Sequence, residues 1–407
     1  MFSPVACHRT VRRHHPIRHP HRSRPMATSR KPTDTQPGGA AALQRPPAEI
    51  LYADQLARLQ AQDTDPRPPG WALGLKAARS FILGDAALGI APKIVAPVAS
   101  IERMLVTLAT GRGLMLVGEP GTAKSMLSEL LATAISGIST LTIQGGASIT
   151  EDQIKYGWNY ALLINEGPSP RAMVPAPLYL GMQRGQVVRF EEITRAPLEV
   201  QDCLLGMLSD RVMAVPELAG EHGMLYAREG FNIIATANTR DRGVNEMSAA
   251  LKRRFDFETV FPILDFDREL ALVQESSARL LAQSGIPKTV PAPVLELLVS
   301  TFRDLRGAPG KAEKGNGNGG NDGAMDKLTA VMSTAEAVNV AHAVGVRAWF
   351  LEQREGSPAD LVDCIAGTVV KDNADDRAKL RRYFEQKAAK RNGAHWRAYY
   401  EARHRLP

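Results

Sequence analysis

The sequence predicts an α/β protein in which a parallel sheet flanked by helices is followed by a smaller all-helical domain. Apolar runs of strand length alternate with segments long enough to form helices, which is typical of parallel sheets. These runs are Leu114–Val117, Leu141–Ile143, Val187–Phe190, Phe231–Thr236 and Phe257–Phe261. After Pro262 the apolar residues recur with helical spacing instead, over Phe266–Ala282, Ala292–Leu305, Thr329–Phe350 and Ala359–Thr368.

The composition excludes several classes of protein. The 407 residues are 44% hydrophobic and 23% charged, so the chain is long and apolar enough to bury a core. No apolar run approaches the roughly 18 residues that a membrane-spanning helix needs. The three cysteines, Cys7, Cys203 and Cys364, are far apart and odd in number, which fits neither a disulfide framework nor a clustered zinc site. We therefore expect a protein of the reducing cytoplasm without membrane contact.

The formal net charge of +7 comes mostly from the first 25 residues, which carry six arginines and no acidic residue. The same stretch holds five of the nine histidines and several prolines, a composition that cannot build a core. It lacks the apolar run of a secretory signal, although an arginine-rich start could imitate a transit peptide. Residues 1–47 are therefore predicted to be a disordered tail, and the break in composition makes Met26 the expected start of translation.

Three further regions follow the tail. Residues 48–262 hold the alternating strands and helices, 263–376 hold the predicted helical domain, and 377–407 are predicted to form a basic C-terminal helix. A stretch rich in Gly, Asn and Lys at 307–323 interrupts the helical domain, and we interpret it as a flexible surface insertion.

The C-terminal region combines ten Lys or Arg with two Glu, and it includes Trp396, Tyr399 and Tyr400. A basic, aromatic helix could contact RNA or DNA. We favour the alternative that the aromatic side chains pack onto the domain while the charges face solvent. Nucleic acid is therefore not an expected partner.

The most specific motif follows the first predicted strand and opens a helix. Its consecutive residues are Gly118, Glu119, Pro120, Gly121, Thr122, Ala123, Lys124 and Ser125, with Met126 next. This is the pattern of a P-loop, in which small residues let backbone N–H groups converge on phosphates at a helix N-terminus. We expect Lys124 to contact the β- and γ-phosphates of a nucleotide and the Ser125 hydroxyl to bind Mg²⁺.

Two carboxylates, Glu191 and Glu192, end the third predicted strand, which lies beside the phosphate loop in a P-loop sheet. Glu191 would then hold Mg²⁺ through water, and Glu192 would orient or activate the attacking water. The usual first acid is Asp, so Glu191 reaches about 1.5 Å further, and slow hydrolysis is one expected consequence. A pair of solvated carboxylates would be the better interpretation if the motif stood alone.

Three more polar residues are candidates for the site. Asn238 ends the next apolar strand, where its amide could contact the γ-phosphate or the attacking water. Downstream, Arg253 and Arg254 end a short predicted helix. In a ring, such an arginine can reach the nucleotide of the neighbouring subunit and stabilise transition-state charge. Arginines at a helix C-terminus also satisfy the helix dipole, so both interpretations are kept.

Together these residues resemble the MoxR-like branch of the AAA+ ATPases. The resemblance rests on the phosphate loop with its alanine before the lysine, on the segment Glu191–Pro197, on the Ala-Thr-Ala-Asn strand end and on Leu251–Phe255. The region Ile149–Gly181 is similar to the helix-2 insertion of that branch. The likeness extends over roughly 92–350.

The resemblance implies a P-loop NTPase core followed by a helical lid, with ATP and Mg²⁺ as cofactors and the ATP sites between the subunits of a hexameric ring. The residues implied to act from one subunit are Lys124, Ser125, Glu191, Glu192 and Asn238. The next subunit would supply an arginine, for which Arg254 aligns best and Arg253 is the reserve. Arg195 matches a family arginine near the subunit interface. At the lid position where the family has a nucleotide-sensing arginine, this chain has Ala335.

The resemblance also implies a partner, a von Willebrand factor A domain protein, and a role in remodelling, maturing or loading metal into a target. The helix-2 hairpin at Tyr160–Pro177 would face the pore or that partner. Two alternatives are kept. The first is a nucleic-acid motor or restriction GTPase, against which the lack of an Asn-Lys-x-Asp guanine motif weighs. The second is a scaffold that assembles with ATP but hardly hydrolyses it.

Overall fold

The computed structural model describes residues 43–239, 246–306, 332–371 and 373–406. The predicted tail up to residue 42 and the predicted insertion at 307–323 lie outside these ranges. The strands in chain order are β1 (Gly113–Gly118), β2 (Thr142–Gln144), β3 (Tyr156–Trp158), β4 (Met173–Pro175), β5 (Val187–Glu191), β6 (Val212–Ala214), β7 (Met224–Tyr226), β8 (Asn232–Asn238) and β9 (Phe255–Thr259).

The helices of the described residues surround these strands or follow them. In chain order they are α1 (Ala48–Leu51), α2 (Ala53–Gln62), α3 (Leu75–Leu83), α4 (Val98–Ala109), α5 (Lys124–Ser136), α6 (Tyr160–Glu166), α7 (Pro177–Arg184), α8 (Leu198–Asp202), α9 (Leu204–Ser209), α10 (Ala249–Lys252), α11 (Phe266–Gln283), α12 (Ala292–Arg306), α13 (Thr334–Glu352), α14 (Pro358–Val369), α15 (Ala374–Gln386) and α16 (Ala394–Glu401).

A parallel sheet of five strands, in the order β2-β5-β8-β1-β9, lies at the centre of the first part of the chain. Strand β1 pairs in parallel with β8 and β9, and β5 pairs in parallel with β2 and β8. Since the strands are parallel, the carboxyl ends of β1, β5 and β8 meet at one edge of the sheet, where ligands of such folds bind. The predicted α/β fold with a parallel sheet and a helical C-terminal region is therefore confirmed.

The apolar strands are buried because both faces of the sheet are covered. In β1, Leu114 and Leu116 enter a core formed with α3, α4 and α5, whereas Met115 enters the core on the opposite face. Residues that alternate between two buried faces produce a continuous apolar run, which is why the sequence marks this strand so clearly. Packing on both faces of β1 therefore fixes the position of the loop that follows the strand.

The last predicted strand is displaced. We predicted it at Phe257–Phe261, but β9 spans Phe255–Thr259. It lies at the edge of the sheet and pairs with β1 alone among the described strands. Phe255 is buried, whereas Phe257 is 51% and Phe261 is 73% exposed. Because these apolar residues on the edge strand do not all face the core, the apolar pattern placed the strand two positions too far toward the C-terminus.

The helices α11 to α16 share a core of their own. Two of them begin with a capping box, in which a serine and an acidic residue three positions later satisfy each other's backbone N–H groups. Ser333 and Glu336 form one at α13, and Ser357 and Asp360 form the other at α14. These caps fix where both helices begin.

The C-terminal region contains most of α15 and all of α16. Tyr399 is fully buried, and Trp396 and Tyr400 pack against the same helical core. The hydroxyl of Tyr383 donates to Thr301 Oγ1 over 3.1 Å inside that core. The aromatic residues therefore pack onto the helical region, as we favoured.

Two small antiparallel pairs, β3 with β4 and β6 with β7, were not predicted, because three-residue strands carry too little periodicity. Helix α6 lies in the chain between β3 and β4, within the predicted helix-2 hairpin. Among the described residues, none of the helices is both long enough and apolar enough to cross a membrane.

Candidate functional site

The phosphate loop makes a sharp turn between β1 and α5. Gly121 (φ 76°) and Ala123 (φ 64°) both have a left-handed backbone, which glycine adopts without strain and alanine rarely adopts. A Cβ on Gly118 would lie 2.5 Å from the carbonyl oxygen of Val260. The Thr122 hydroxyl closes the turn by donating to the Glu119 carbonyl over 2.9 Å.

Lys124 opens α5, and its side chain folds into this turn. It is only 7% exposed. Its Nζ donates to the carbonyl oxygens of Gly118 (3.1 Å) and Glu119 (2.8 Å). The ammonium group therefore lies within the loop itself, close to the backbone that would bind phosphates. Of the remaining predicted loop residues, Pro120 is half-buried, and Met126 packs against the core between the sheet and α5.

Glu191, at the carboxyl end of β5, is buried and accepts hydrogen bonds from residues of three elements. Ser125 (2.8 Å) and Ser128 (2.6 Å) reach it from α5, and Thr236 (2.9 Å) reaches it from β8. Arg189, two residues earlier on β5, forms an ion pair with it at 2.8 Å. Burial raises the pKa of Glu191, but the hydroxyl groups and the Arg189 charge outweigh it, so the pKa lies below its usual value. The carboxylate is therefore ionised at neutral pH.

This donor set suits Mg²⁺. The Ser125 hydroxyl is at the exposed start of α5 and contacts the ionised Glu191 carboxylate, so two hard oxygen ligands meet beside the phosphate loop. Mg²⁺ prefers such oxygens and keeps several waters, so it needs few protein ligands. Ser125 directly, and Glu191 through water, are the residues that would hold it.

Glu192 and Asn238 meet beside this contact. Glu192 has a left-handed backbone (φ 55°), and its N–H donates to Thr236 Oγ1 over 2.9 Å. Its carboxylate accepts from Asn238 Nδ2 (3.4 Å) and from Gln144 Nε2 (3.5 Å), and it forms an ion pair with Arg195 at 3.0 Å. The structure thus brings Glu192 and Asn238 together, and it places Arg195 against Glu192 of the same chain.

Arg253 and Arg254 are exposed and lie at the opposite end of the sheet. The carbonyl of Arg254 accepts from the N–H of Gly113, the first residue of β1, over 3.1 Å. The Arg254 side chain donates to Ser209 Oγ over 2.5 Å. The structure therefore does not bring Arg254 together with the phosphate loop of its own chain.

Three residues of the site were not predicted from the sequence, namely Arg189, Ser128 and Thr236. Arg189 could have been predicted from the sequence, because a charged residue inside an apolar strand requires a buried partner. Ser128 and Thr236 carry no such signal, since small polar residues occur in many helices and strands. They became visible only when α5 and β8 were placed against β5.

Comparisons with known proteins identify the class to which this site belongs. Residues 113–255 match the family described as "AAA domain (dynein-related subfamily)", and residues 267–407 match "YehL-like AAA+ ATPase C-terminal domain". The chain is 74% identical over 365 residues to YehL of Escherichia coli K12, a protein described as uncharacterized. That match covers 90% of this chain and 98% of the relative. The chain belongs to the YehL-like AAA+ ATPases.

The other similarities of this YehL-like AAA+ ATPase are more distant. An uncharacterized protein of Staphylococcus haemolyticus is 28% identical over 145 residues, which cover 35% of this chain and 53% of the relative. NtrX of Brucella abortus in complex with ADP superposes with a TM-score of 0.44 at 14% identity, over 72% of this chain and 62% of that one. The RuvB Holliday junction branch migration motor of Thermotoga maritima has a TM-score of 0.42 at 12% identity, over 72% and 76%.

Membership of the AAA+ class confirms that part of the predicted resemblance. The matched families do not carry the name of the MoxR-like branch, so that finer assignment stays a prediction. The same holds for the roles of the individual site residues, for the ring and for the partner protein.

Proposed function

We propose that this AAA+ protein binds ATP with Mg²⁺, hydrolyses it, and uses the energy within a hexameric ring to remodel or mature a partner protein, as MoxR-like ATPases do. The observation that carries the proposal is the 2.8 Å contact between Ser125 Oγ and the Glu191 carboxylate at the exit of the phosphate loop. It joins a metal-binding hydroxyl to an ionised acid, with Glu192 and Asn238 beside them.

In the proposed reaction these residues act mainly by positioning the reactants and by stabilising charge. Lys124 supplies a positive charge beside the phosphates. Glu192 accepts the proton of the attacking water or orients that water, and the Asn238 amide fixes its direction. The bound Mg²⁺ would neutralise charge on the phosphate oxygens.

The position of Arg254 supports action between subunits. Gly113 and Gly118 are the two ends of β1, and five residues of strand span about 17 Å. Arg254 lies at the Gly113 end, so its side chain is too far from its own phosphate loop to contact a nucleotide there. We infer that it serves the site of a neighbouring copy, which requires an oligomer.

The region of the predicted helix-2 hairpin offers a surface for a partner. Helix α6 has no buried residue, and it exposes Tyr160 (69%) and Ile164 (87%). Val174, on β4, is 51% exposed. Apolar side chains of this kind at an exposed site are typical of protein contacts. We propose that this surface meets a von Willebrand factor A domain protein or its target, in the cytoplasm.

Phosphate release from ATP by the full chain, with and without Mg²⁺, tests the proposal. We expect Lys124→Ala to lose turnover together with nucleotide binding, and Glu192→Gln to lose turnover while it still binds ATP. Glu199→Gln, which neutralises an exposed carboxylate on α8, is the matched control and is expected to keep wild-type turnover. Wild-type turnover in Lys124→Ala or in Glu192→Gln would contradict the proposal.

A second candidate function, the ATP-gated scaffold, is favoured by the ion pair between Glu192 and Arg195. A carboxylate engaged by a cation is less free to orient the attacking water, so hydrolysis would be slow. If so, Arg195→Ala, which releases the carboxylate, should raise phosphate release by about threefold or more, the scale of one exposed salt bridge. Negligible release in both proteins, with an ATP-dependent change in particle size, would favour the scaffold.

A further inference from the structure

A charged residue inside strand β5 lies directly behind the candidate metal site. Arg189 and Glu191 are two positions apart on this strand, so both side chains point to the face of the sheet that α5 covers. Their charged groups lie 2.8 Å apart, and the exposed fractions of the two side chains are 10% and 6%. A buried charge is costly unless its donors are satisfied, so the partners of Arg189 indicate what the residue does.

The guanidinium group of Arg189 is fixed by residues other than Glu191. Its Nε donates to Ser128 Oγ over 3.0 Å, and its Nη1 donates to the Ser139 carbonyl over 3.2 Å. Its Nη2 donates to the Ser125 carbonyl over 2.9 Å. These contacts reach α5 and the loop that follows it, and the planar guanidinium makes such a set of contacts rigid. The position of Arg189 is therefore set independently of Glu191.

The Nη2 atom of Arg189 also contacts Glu191 Oε1, over 2.8 Å. One nitrogen atom thus holds both residues of the candidate metal contact, Ser125 through its carbonyl and Glu191 through its carboxylate. With Oε1 held in this way, Oε2 accepts from Ser125 Oγ at 2.8 Å. A buried ion pair requires only the carboxylate, and the added bond to the Ser125 carbonyl joins Arg189 to the metal contact itself.

Glu191 is longer than the aspartate that is usual at this position of a P-loop sheet. Its extra rotatable bond lets the carboxylate take several positions unless a partner selects one of them. Arg189 is that partner, because it holds one oxygen and leaves the other for Ser125. An aspartate would end about 1.5 Å nearer the strand, so it could not keep both contacts in the present arrangement.

We propose that Arg189 is a positioning residue for Mg²⁺, which holds Glu191 Oε1 so that Oε2 stays beside Ser125, the residue proposed to bind the metal. The inference rests on the proposed function, because it requires ATP and Mg²⁺ on the phosphate loop. Arg189 contacts neither of them and acts through Glu191. Partners that orient a metal-binding group in this way typically change metal affinity by about 10- to 100-fold.

The ATP affinity of the full chain, measured by calorimetry with Mg²⁺ and again with EDTA, tests the inference. The ratio of the two affinities is the gain due to the metal. We expect Arg189→Met to reduce this gain about tenfold or more, because Glu191 is no longer held at Ser125. The affinity in EDTA should change by less than about twofold, since the arginine does not contact the nucleotide. Arg184→Met, which removes an exposed arginine at the end of α7, is the matched control and should leave the gain unchanged.

A second substitution separates positioning from a general loss of structure. Glu191→Asp alone should also reduce the gain, because the shorter side chain leaves Arg189 buried with an unmatched charge. In the double variant Arg189→Met/Glu191→Asp, the shorter acid no longer needs the arginine to select its position. The gain should then return to within about threefold of wild type, so the two substitutions are expected to be strongly non-additive.

The other outcomes are equally decisive. Equal loss of ATP affinity with Mg²⁺ and with EDTA in Arg189→Met would mark a structural role and overturn the inference. Additive losses in the double variant would also overturn it. If Arg189→Met does not fold, Arg189→Lys takes its place, because lysine lacks the planar group that holds both contacts, and an unchanged gain there would overturn the inference. A wild-type chain that binds no ATP, or whose ATP binding does not respond to Mg²⁺, would contradict the proposed function itself.

Discussion

At the scale of single residues, the Glu191 carboxylate links the candidate nucleotide site to the stability of the sheet. It is buried, and it is ionised because Arg189 and three hydroxyl groups surround it. Breaking a buried ion pair is costly, because the surviving charge stays buried without a partner. The side chain proposed to hold Mg²⁺ through water therefore also joins α5 and β8 to β5.

Replacing Arg189 with methionine tests this link. We expect Arg189→Met to lower the free energy of unfolding by about 3–5 kcal/mol at pH 7, because Glu191 would lose its buried cation. Urea unfolding followed by circular dichroism measures this. Arg184→Met, which removes an exposed arginine at the end of α7, is the control and should change stability by less than about 0.5 kcal/mol. Equal stability of the two variants would contradict the account.

The same carboxylate predicts a pH dependence. The folded-state pKa of Glu191 lies below its usual value. Its ionisation therefore stabilises the wild-type fold above the usual carboxyl pKa, and this contribution is lost as the pH falls through the lower, folded-state value. In Arg189→Met the folded-state pKa should rise, so the variant should lose less stability than wild type on acidification from pH 7 to pH 4. A steeper loss in the variant would contradict this.

The sequence alone could locate the residues whose positions are set by motif spacing. Lys124 and Ser125 follow from the loop pattern, and Glu191, Glu192 and Asn238 follow because each ends or follows a buried strand. Ser128 and Thr236 could not be found in this way. Their contacts with Glu191 depend on how α5 and β8 pack against β5, and no motif marks either residue.

At the scale of elements, the helices of the C-terminal region were predicted with unequal accuracy. The predicted Phe266–Ala282 and Ala292–Leu305 differ from α11 and α12 by one residue at the C-terminal end, because their apolar pattern repeats over several turns. The predicted Thr329–Phe350 was wrong at its start, since Met332 and Ser333 precede α13, which begins at Thr334. Among the described strands, β9 pairs with β1 alone, and it exposes Phe257, so the apolar pattern misplaced it.

The packing of α16 can be tested through Tyr399, which is fully buried beside Phe384 and Trp396. We expect Tyr399→Ala to cost about 3–5 kcal/mol of stability, the usual effect of truncating a buried aromatic side chain. Tyr400→Ala, at a half-buried neighbour, is the control and should cost clearly less. Thermal unfolding of the full chain distinguishes the two, and equal losses would contradict the packing of α16 through Tyr399.

At the scale of the whole molecule, the two ends of the sheet carry complementary parts of the proposed site. The phosphate loop lies at the carboxyl end of β1, and Arg254 lies at its amino end. A mixture of Lys124→Ala and Arg254→Ala chains should therefore recover phosphate release. Where an Arg254→Ala chain supplies the loop and a Lys124→Ala chain supplies the arginine, the site at their interface has both parts intact. Each variant alone should be inactive, and a mixture no more active than its components would contradict action between subunits.

The loop from Gly118 to Ser125 is proposed to bind a nucleoside triphosphate, and every other role given to the site depends on that binding. Calorimetric titration of the full-length protein with ATP and Mg²⁺, alongside Lys124→Ala, measures it. We expect saturable binding to the wild-type chain and none to Lys124→Ala. No heat of binding in the wild type, or the same binding curve in both proteins, would contradict it.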